Sequence, residues 1–269
     1  MPIVAAAFLP PSPLLIPEIG KQNQLILQKT GQAYQTVAEI LKAAETEVII
    51  IISPHGSAQA DNVSLNINPV LELSFREFGY LATIGTFTPA LSLADRIREE
   101  TDSDLPVRLI SQKLLDYGSA VPLHLLNNSL AKIKVLPLFP AEKKDRAYHY
   151  QFGRKLGTIL HSQPEKIAII AVGDLSRRLK KNSPEGYSPK GARFDNRVVE
   201  YLNDAENGLN KILSIDDKLA TEVLEGGLKQ LSLLLGAIGD RYQPQILAYQ
   251  NDFGTGYLSV NFNLQIAPI

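Results

Sequence analysis

The residue in this chain best placed to do chemistry is His55. It stands in Ser53-Pro54-His55-Gly56, directly after Glu47-Val48-Ile49-Ile50-Ile51-Ile52. Five consecutive β-branched residues are too few to span a membrane and poorly suited to a helix, so they predict a strand buried on both faces. Pro54 cannot donate to a ladder and Gly56 admits unusual dihedrals, so His55 is expected on a loop at the carboxyl end of that strand. Open α/β sheets place their chemistry there. The plainer reading, a histidine bonded to backbone and nothing more, stays open beside it.

Polar residues recur at other breaks in the apolar pattern. Ile3 to Leu9 is an apolar run ended by Pro10-Pro11-Ser12-Pro13. Asp116-Tyr117-Gly118 precedes an apolar helix whose first amides are expected to face a ligand. Lys166 to Val172 is a second apolar strand running into Gly173-Asp174-Leu175-Ser176. His124, among leucines, reads as a helix-face residue with a local partner. The short basic run Arg177-Arg178-Leu179-Lys180-Lys181 reads as a solvated helix end or loop.

The elements that must position these loops alternate. Leu25, Ile26, Val37, Ile40 and Leu41 give a helical period over 21–44, and with the flanking strands they make a βαβ unit. Residues 62–68 alternate as a half-exposed strand, and 71–83 fit a short strand or an irregular loop. Thr88-Pro89 predicts an N-cap with proline in the first turn of a helix reaching about Glu100. A weak strand follows at 106–110, then a strand at 132–140, a helix at 145–161, and helices at 193–205, from Ile215, and at 228–238. Strands at 243–249 and 256–264 close the chain. The expected fold class is α/β, a mostly parallel central sheet with helices on both faces, in one domain over 1–269.

Composition excludes several function classes. The 269 residues carry 27 basic and 28 acidic side chains, a net charge of −1, so no electrostatic case exists for nucleic acid or an anionic membrane. Zero cysteines exclude a disulfide scaffold and a thiolate metal site. The apolar run from Pro2 to Pro17 contains five prolines and lacks a basic leader, so it does not read as a signal peptide. No apolar stretch is long enough for a spanning helix. A cytoplasmic protein is expected.

Four loops stand in order: the one from Leu9 through Gly20, Ser53-Pro54-His55-Gly56, Asp116-Tyr117-Gly118, and Gly173-Asp174-Leu175-Ser176-Arg177-Arg178-Leu179. With Gly186-Tyr187-Ser188-Pro189 through Phe194-Asp195, and Glu225-Gly226-Gly227-Leu228, they resemble the class III extradiol ring-cleavage dioxygenases, the family of the protocatechuate 4,5-dioxygenase β subunit, and its Memo-like relatives. The resemblance covers nearly the whole chain. It implies a site in which two histidines and a carboxylate hold Fe(II) on one face, with a further histidine as acid–base group.

Carried over position by position, the resemblance puts the first ligand on Pro11, which has no donor atom, and the second on His55. The late ligand falls on Glu225, or on Gly226 where Memo-like proteins carry cysteine. The metal residues are therefore His55 and Glu225. The catalytic positions fall on Tyr117, where the family has a histidine, on Arg177, where it has another, and on the nearby Asp174. Loss of an imidazole that would bond the metal directly should cost more than the roughly 10–100-fold typical of an outer partner, so little iron is expected to bind.

An arginine and a phenol suit a different occupant, because a guanidinium grips carboxylate or phosphate in bidentate fashion. One expectation is therefore a non-catalytic, Memo-like protein that binds a small anionic or aromatic ligand or a protein partner. A second is that Arg177 and Tyr117 only fill and neutralise the hollow, paired with Asp174 or Asp116. A third is an enzyme that recruits Asp116, Asp174 or His124 to a metal. The sequence leaves a homo-oligomer open.

Overall fold

The computed structural model describes residues 2–101, 103–126 and 133–265. In chain order it forms strand β1 (Ile3–Leu9), helices α1 (Pro17–Gly20), α2 (Asn23–Ile26) and α3 (Gln28–Ala43), and strands β2 (Val48–Ile52), β3 (Val63–Asn66), β4 (Leu71–Phe75) and β5 (Tyr80–Pro89). Then come α4 (Leu91–Glu100), β6 (Val107–Ile110), α5 (Tyr117–Leu126), β7 (Lys134–Phe139), α6 (Arg146–His161) and β8 (Ile167–Val172). Helices α7 (Gly191–Asn203), α8 (Gly208–Leu213), α9 (Asp217–Glu222) and α10 (Leu228–Ile238) precede the final strands β9 (Tyr242–Gln250) and β10 (Tyr257–Leu264).

The sheet runs β4-β5-β7-β2-β8-β1-β10-β9. Its five inner strands, β5, β7, β2, β8 and β1, are parallel, while β4, β10 and β9 run antiparallel to their neighbours at the two sides. The carboxyl ends of β2, β8 and β1 therefore lie side by side. That brings the His55, Asp174 and Pro11 loops to one edge of the sheet.

Burial explains the order. Every side chain of β2 is at most 2% exposed. Val48, Ile50 and Ile52 pack into the layer with α6 and α10, while Ile49 and Ile51 pack into the layer with α3 and α5. A strand apolar on both faces is stable only when helices cover both, which the parallel crossovers provide. At roughly 2 kcal/mol for each fully buried aliphatic side chain, the position of β2 is one of the most strongly determined in the molecule.

Several expectations are corrected in detail. The strand at 62–68 is β3, and its four residues are fully buried, because β7 lies antiparallel on one side and β6 parallel on the other. Residues 71–83 form a hairpin of β4 and β5. Thr88 and Pro89 do not start a helix. They extend β5, paired with Lys134 and Val135, and Ala90 caps α4. Pro89 is tolerated because β5 lies alongside only this first part of β7 and ends there.

The helix at 21–44 is broken at Leu27 into α2 and α3, with Lys21 in a positive-φ conformation. The helix at 193–205 is observed as α7, ending at Asn203, and α8 was not anticipated. Lys132, at the start of the predicted strand 132–140, lies outside the described residues; the strand is seen from Lys134. Among the described residues no helix is long and apolar enough to cross a membrane.

Candidate functional site

The loop after β2 is fixed from its first residue. Ser53 continues the ladder by donating its N–H to the Leu138 carbonyl at 3.0 Å. Its hydroxyl accepts the His55 N–H at 3.2 Å and donates to Asp116. The imidazole then stacks on Tyr117, with centroids 4.1 Å apart and planes 22° from parallel. Phe78 meets the other side of Tyr117 edge-on at 5.6 Å. Burial, followed by the nearby Arg177 charge, lowers the His55 pKa to about 4, so the ring is neutral near pH 7.

Tyr117 is the first residue of α5, and Asp116 caps that helix. The Asp116 carboxylate accepts from the Ser119 N–H at 3.1 Å and the Ser119 hydroxyl at 2.7 Å. Of the amides expected to face a ligand, that of Ser119 is thus engaged by Asp116, as in an ordinary N-cap. Gly118 allows the close packing: a Cβ there would lie 2.4 Å from Ser53 Oγ and 3.0 Å from His55 Cδ2. Tyr117 has its pKa raised, mainly by burial and then by Asp174, with Arg177 acting in the opposite sense.

Asp174 and Arg177 follow β8. The Gly173 N–H donates to the Leu9 carbonyl, tying this loop to the one after β1. Arg177 donates its backbone N–H to the Val223 carbonyl at 3.0 Å and its Nε to the Leu224 carbonyl at 2.9 Å. Among the described residues its terminal nitrogens make no hydrogen bond or ion pair with protein. Asp174 is half-buried, and its Oδ1 is enclosed with no hydrogen-bond partner. Burial pushes its pKa up to about 7, against a smaller downward pull from Arg177.

Pro11 is buried on the neighbouring loop. Pro10 beside it accepts from the Tyr34 hydroxyl at 2.8 Å, and Ser12 bonds the Tyr257 hydroxyl. Both tyrosines feel the Asp174 charge, which raises their pKa after burial has done so. His55, Tyr117, Asp174 and Arg177 therefore form one electrostatically connected group, with the Pro11 loop joined to it through Tyr34 and Tyr257.

Glu225 is placed differently. Its Oε2 accepts from the amides of Gly227 and Leu228 at 2.9 and 2.8 Å, capping α10. It lines a cleft of about 310 Å³ with Arg146, Asp217 and Lys229. Burial raises its pKa against those two bonds and the Arg146 and Lys229 charges. The residue that faces the His55 group from this segment is Gly226, whose N–H donates to the Asp174 carbonyl at 3.1 Å. A Cβ on Gly226 would stand 3.5 Å from an Arg177 Nη. His124 meets Phe75 of β4 edge-on at 5.5 Å, a partner distant in the chain rather than a local one.

A cleft of about 400 Å³ opens beside His55, lined also by Ser57, Arg76, Glu77, Leu114 and Asp116. Local sequence did not single out Tyr34 or Tyr257, and it placed Ser53 and Asp195 within motifs without giving either a role. Asp195 is fully buried and accepts from the Ser176 N–H at 2.9 Å and the Tyr249 hydroxyl at 2.7 Å, fixing the residue next to Arg177. The pair Phe194-Asp195 was visible as a motif, but its partner residues lie 19 and 54 positions away.

The model of the family described as the catalytic LigB subunit of aromatic ring-opening dioxygenase matches residues 5–260. The chain belongs to this family. "Protein CA_C1420" of Clostridium acetobutylicum is 27% identical over 268 residues, covering 93% of this chain and 55% of the relative. The chain thus spans about half the length of that curated relative. The crystal structure of uncharacterized protein JW3007 from Escherichia coli K12 is similar in fold, with a TM-score of 0.68, 19% identity, and coverage of 96% of this chain and 99% of that one.

LigB family proteins are typically metal-dependent dioxygenases, so the donor set bears a direct test. Among the described residues no group of three or more His, Asp or Glu side chains is arranged to hold a metal ion. His55 is stacked, Asp116 is engaged by two serines, Glu225 caps α10, and Arg177 brings a fixed positive charge. These side chains do not fit a metal.

Proposed function

We propose that this LigB-family chain binds a small acidic or phenolic ligand at the His55–Tyr117–Asp174–Arg177 group, without the family's oxidative ring opening. The observation that carries the reading is a mismatch between neighbours. Among the described residues, Asp174 holds an enclosed oxygen that lacks a donor, and Arg177 holds terminal N–H groups that lack an acceptor. The two sense each other's charge but do not form an ion pair.

A group that donates to Asp174 and accepts from Arg177 completes both, and a phenolic hydroxyl does so with one atom. A carboxylate satisfies Arg177 in bidentate fashion and accepts a hydrogen bond that protonated Asp174 donates. The cleft of about 400 Å³ reaches this group at His55 and Asp116, with Leu114 as an apolar contact. A guanidinium grips an anion through its N–H groups and supplies no redox chemistry. It therefore suits binding and orientation.

The test is calorimetric titration with phenol and with benzoate between about pH 6 and about pH 8. Ionisation of Asp174 near pH 7 makes it a better acceptor for phenol and a repellent neighbour for benzoate. Phenol affinity should rise by up to about tenfold over this range and benzoate affinity fall by a similar factor. Asp174→Asn should flatten both slopes. Retention of both slopes in that variant, or unchanged binding in Arg177→Ala, defeats the proposal.

A further inference from the structure

Of the chain positions that the family resemblance gives to metal ligands, His55 feels the Arg177 charge and Gly226 lies against the guanidinium. Pro11 offers no donor, Glu225 is turned to the α10 amides, and Gly226, next to Glu225, faces Arg177. Arg177 is itself anchored. Leu224 adopts φ 54°, a left-handed conformation that is costly for a side chain with a branched body, and its carbonyl accepts Arg177 Nε. The Val223 carbonyl takes the Arg177 N–H and the Asp174 carbonyl takes the Gly226 N–H, so the two loops are laced together around the guanidinium.

We infer that the Arg177 guanidinium is a resident cation that supplies, in this chain, the positive charge a metal ion supplies in the family. On this view Gly226 leaves the guanidinium room, since a Cβ there would already touch it at 3.5 Å, and Leu224 keeps its unusual conformation because its carbonyl aims the charge. Anion binding is then independent of metal, and a divalent ion is excluded by like charge as well as by missing donors. The inference shares the hollow with the proposed ligand reading, but it makes a claim about metals that can fail separately.

The experiment titrates the full chain with Zn²⁺ by calorimetry and with Co²⁺ by visible absorption, beside Arg177→His and Arg177→Gln, with circular dichroism to show each is folded. Wild type should give no saturable binding. Arg177→His, which adds an imidazole to the group holding His55 and Asp174 while removing the charge, should bind Zn²⁺ saturably and about 100-fold more tightly than the weakest binding the wild-type titration would detect. Arg177→Gln, which only removes the charge, should bind about tenfold more tightly than that detection limit.

Folded variants that bind no more metal than wild type overturn the inference, as does one-to-one Zn²⁺ binding by wild type. Benzoate bound by wild type should stay bound in excess chelator, and loss on chelation also overturns it. If wild type binds neither benzoate nor phenol, the ligand reading falls while the metal titrations still decide this one.

Discussion

Two aspartates flank the His55–Tyr117 pair, and their surroundings differ in one respect that matters. Burial raises the pKa of both. Asp116 is met by the Ser53 hydroxyl and by the N–H and hydroxyl of Ser119, which pull its pKa back. Asp174 has Arg177 nearby but keeps one enclosed oxygen without a partner. A satisfied buried carboxylate is a joint that holds β2, its loop and α5 in register. An unsatisfied one costs stability unless something else completes it. Burial alone does not separate a structural acid from a binding one; the count of donors does.

The largest effect expected from this contrast is on the satisfied side. Asp116→Ala strands two serine hydroxyls and uncaps α5, at a cost of roughly 3 kcal/mol. Urea denaturation reads that loss directly. Because Ser53 also holds the His55 N–H, the same variant should disturb the stack on Tyr117. A variant as stable as wild type means that Asp116 is not the joint described here, and the contrast with Asp174 dissolves.

The opposite prediction applies to Asp174. A carboxyl whose folded pKa of about 7 exceeds the ordinary value near 4 binds more protons folded than unfolded, so it lowers stability as pH rises through about 4 to 7. His55 acts in the reverse sense: with its folded pKa at about 4, it lowers stability as pH falls below about 6.5. Asp174→Asn removes only the first effect. The variant's advantage over wild type should therefore grow between about pH 4 and 7, to no more than about 2 kcal/mol once solvent screening is allowed for, and stay flat above. Thermal unfolding across pH checks this, and a difference that shrinks with rising pH contradicts it.

How far these features were legible in the sequence follows from their range. The β2 strand and its His55 loop depend on ten consecutive residues, and the alternation of apolar strands with helices implied the parallel sheet. What local pattern missed was set by partners far along the chain. Val63, Leu65 and their neighbours alternate like a half-exposed strand, yet β6 and β7 enclose them. Thr88-Pro89 has cap chemistry, but pairing with Lys134 and Val135 overrides it. At the site, Glu225 has the charge of a ligand, while two amides at the start of α10 claim its carboxylate. The adjacent glycine, which has no side chain to draw notice, is the one that faces Arg177.

The smallest effect sharpens the Asp174 side of the contrast through Asp195. This acid is satisfied like Asp116, by the Ser176 N–H and the Tyr249 hydroxyl, and burial still pushes its pKa up to about 7. Tyr249→Phe removes one of those bonds and should cost about 1 kcal/mol. Arg177, one residue beyond Ser176, has its own anchors in the Val223 and Leu224 carbonyls, and Ser176 Oγ also bonds Val223. Benzoate affinity in Tyr249→Phe should therefore change by less than about threefold, since the guanidinium keeps its position when one distant bond is lost. A much larger drop would mean that Asp195 sets the position of Arg177, so that a satisfied acid controls the unsatisfied one.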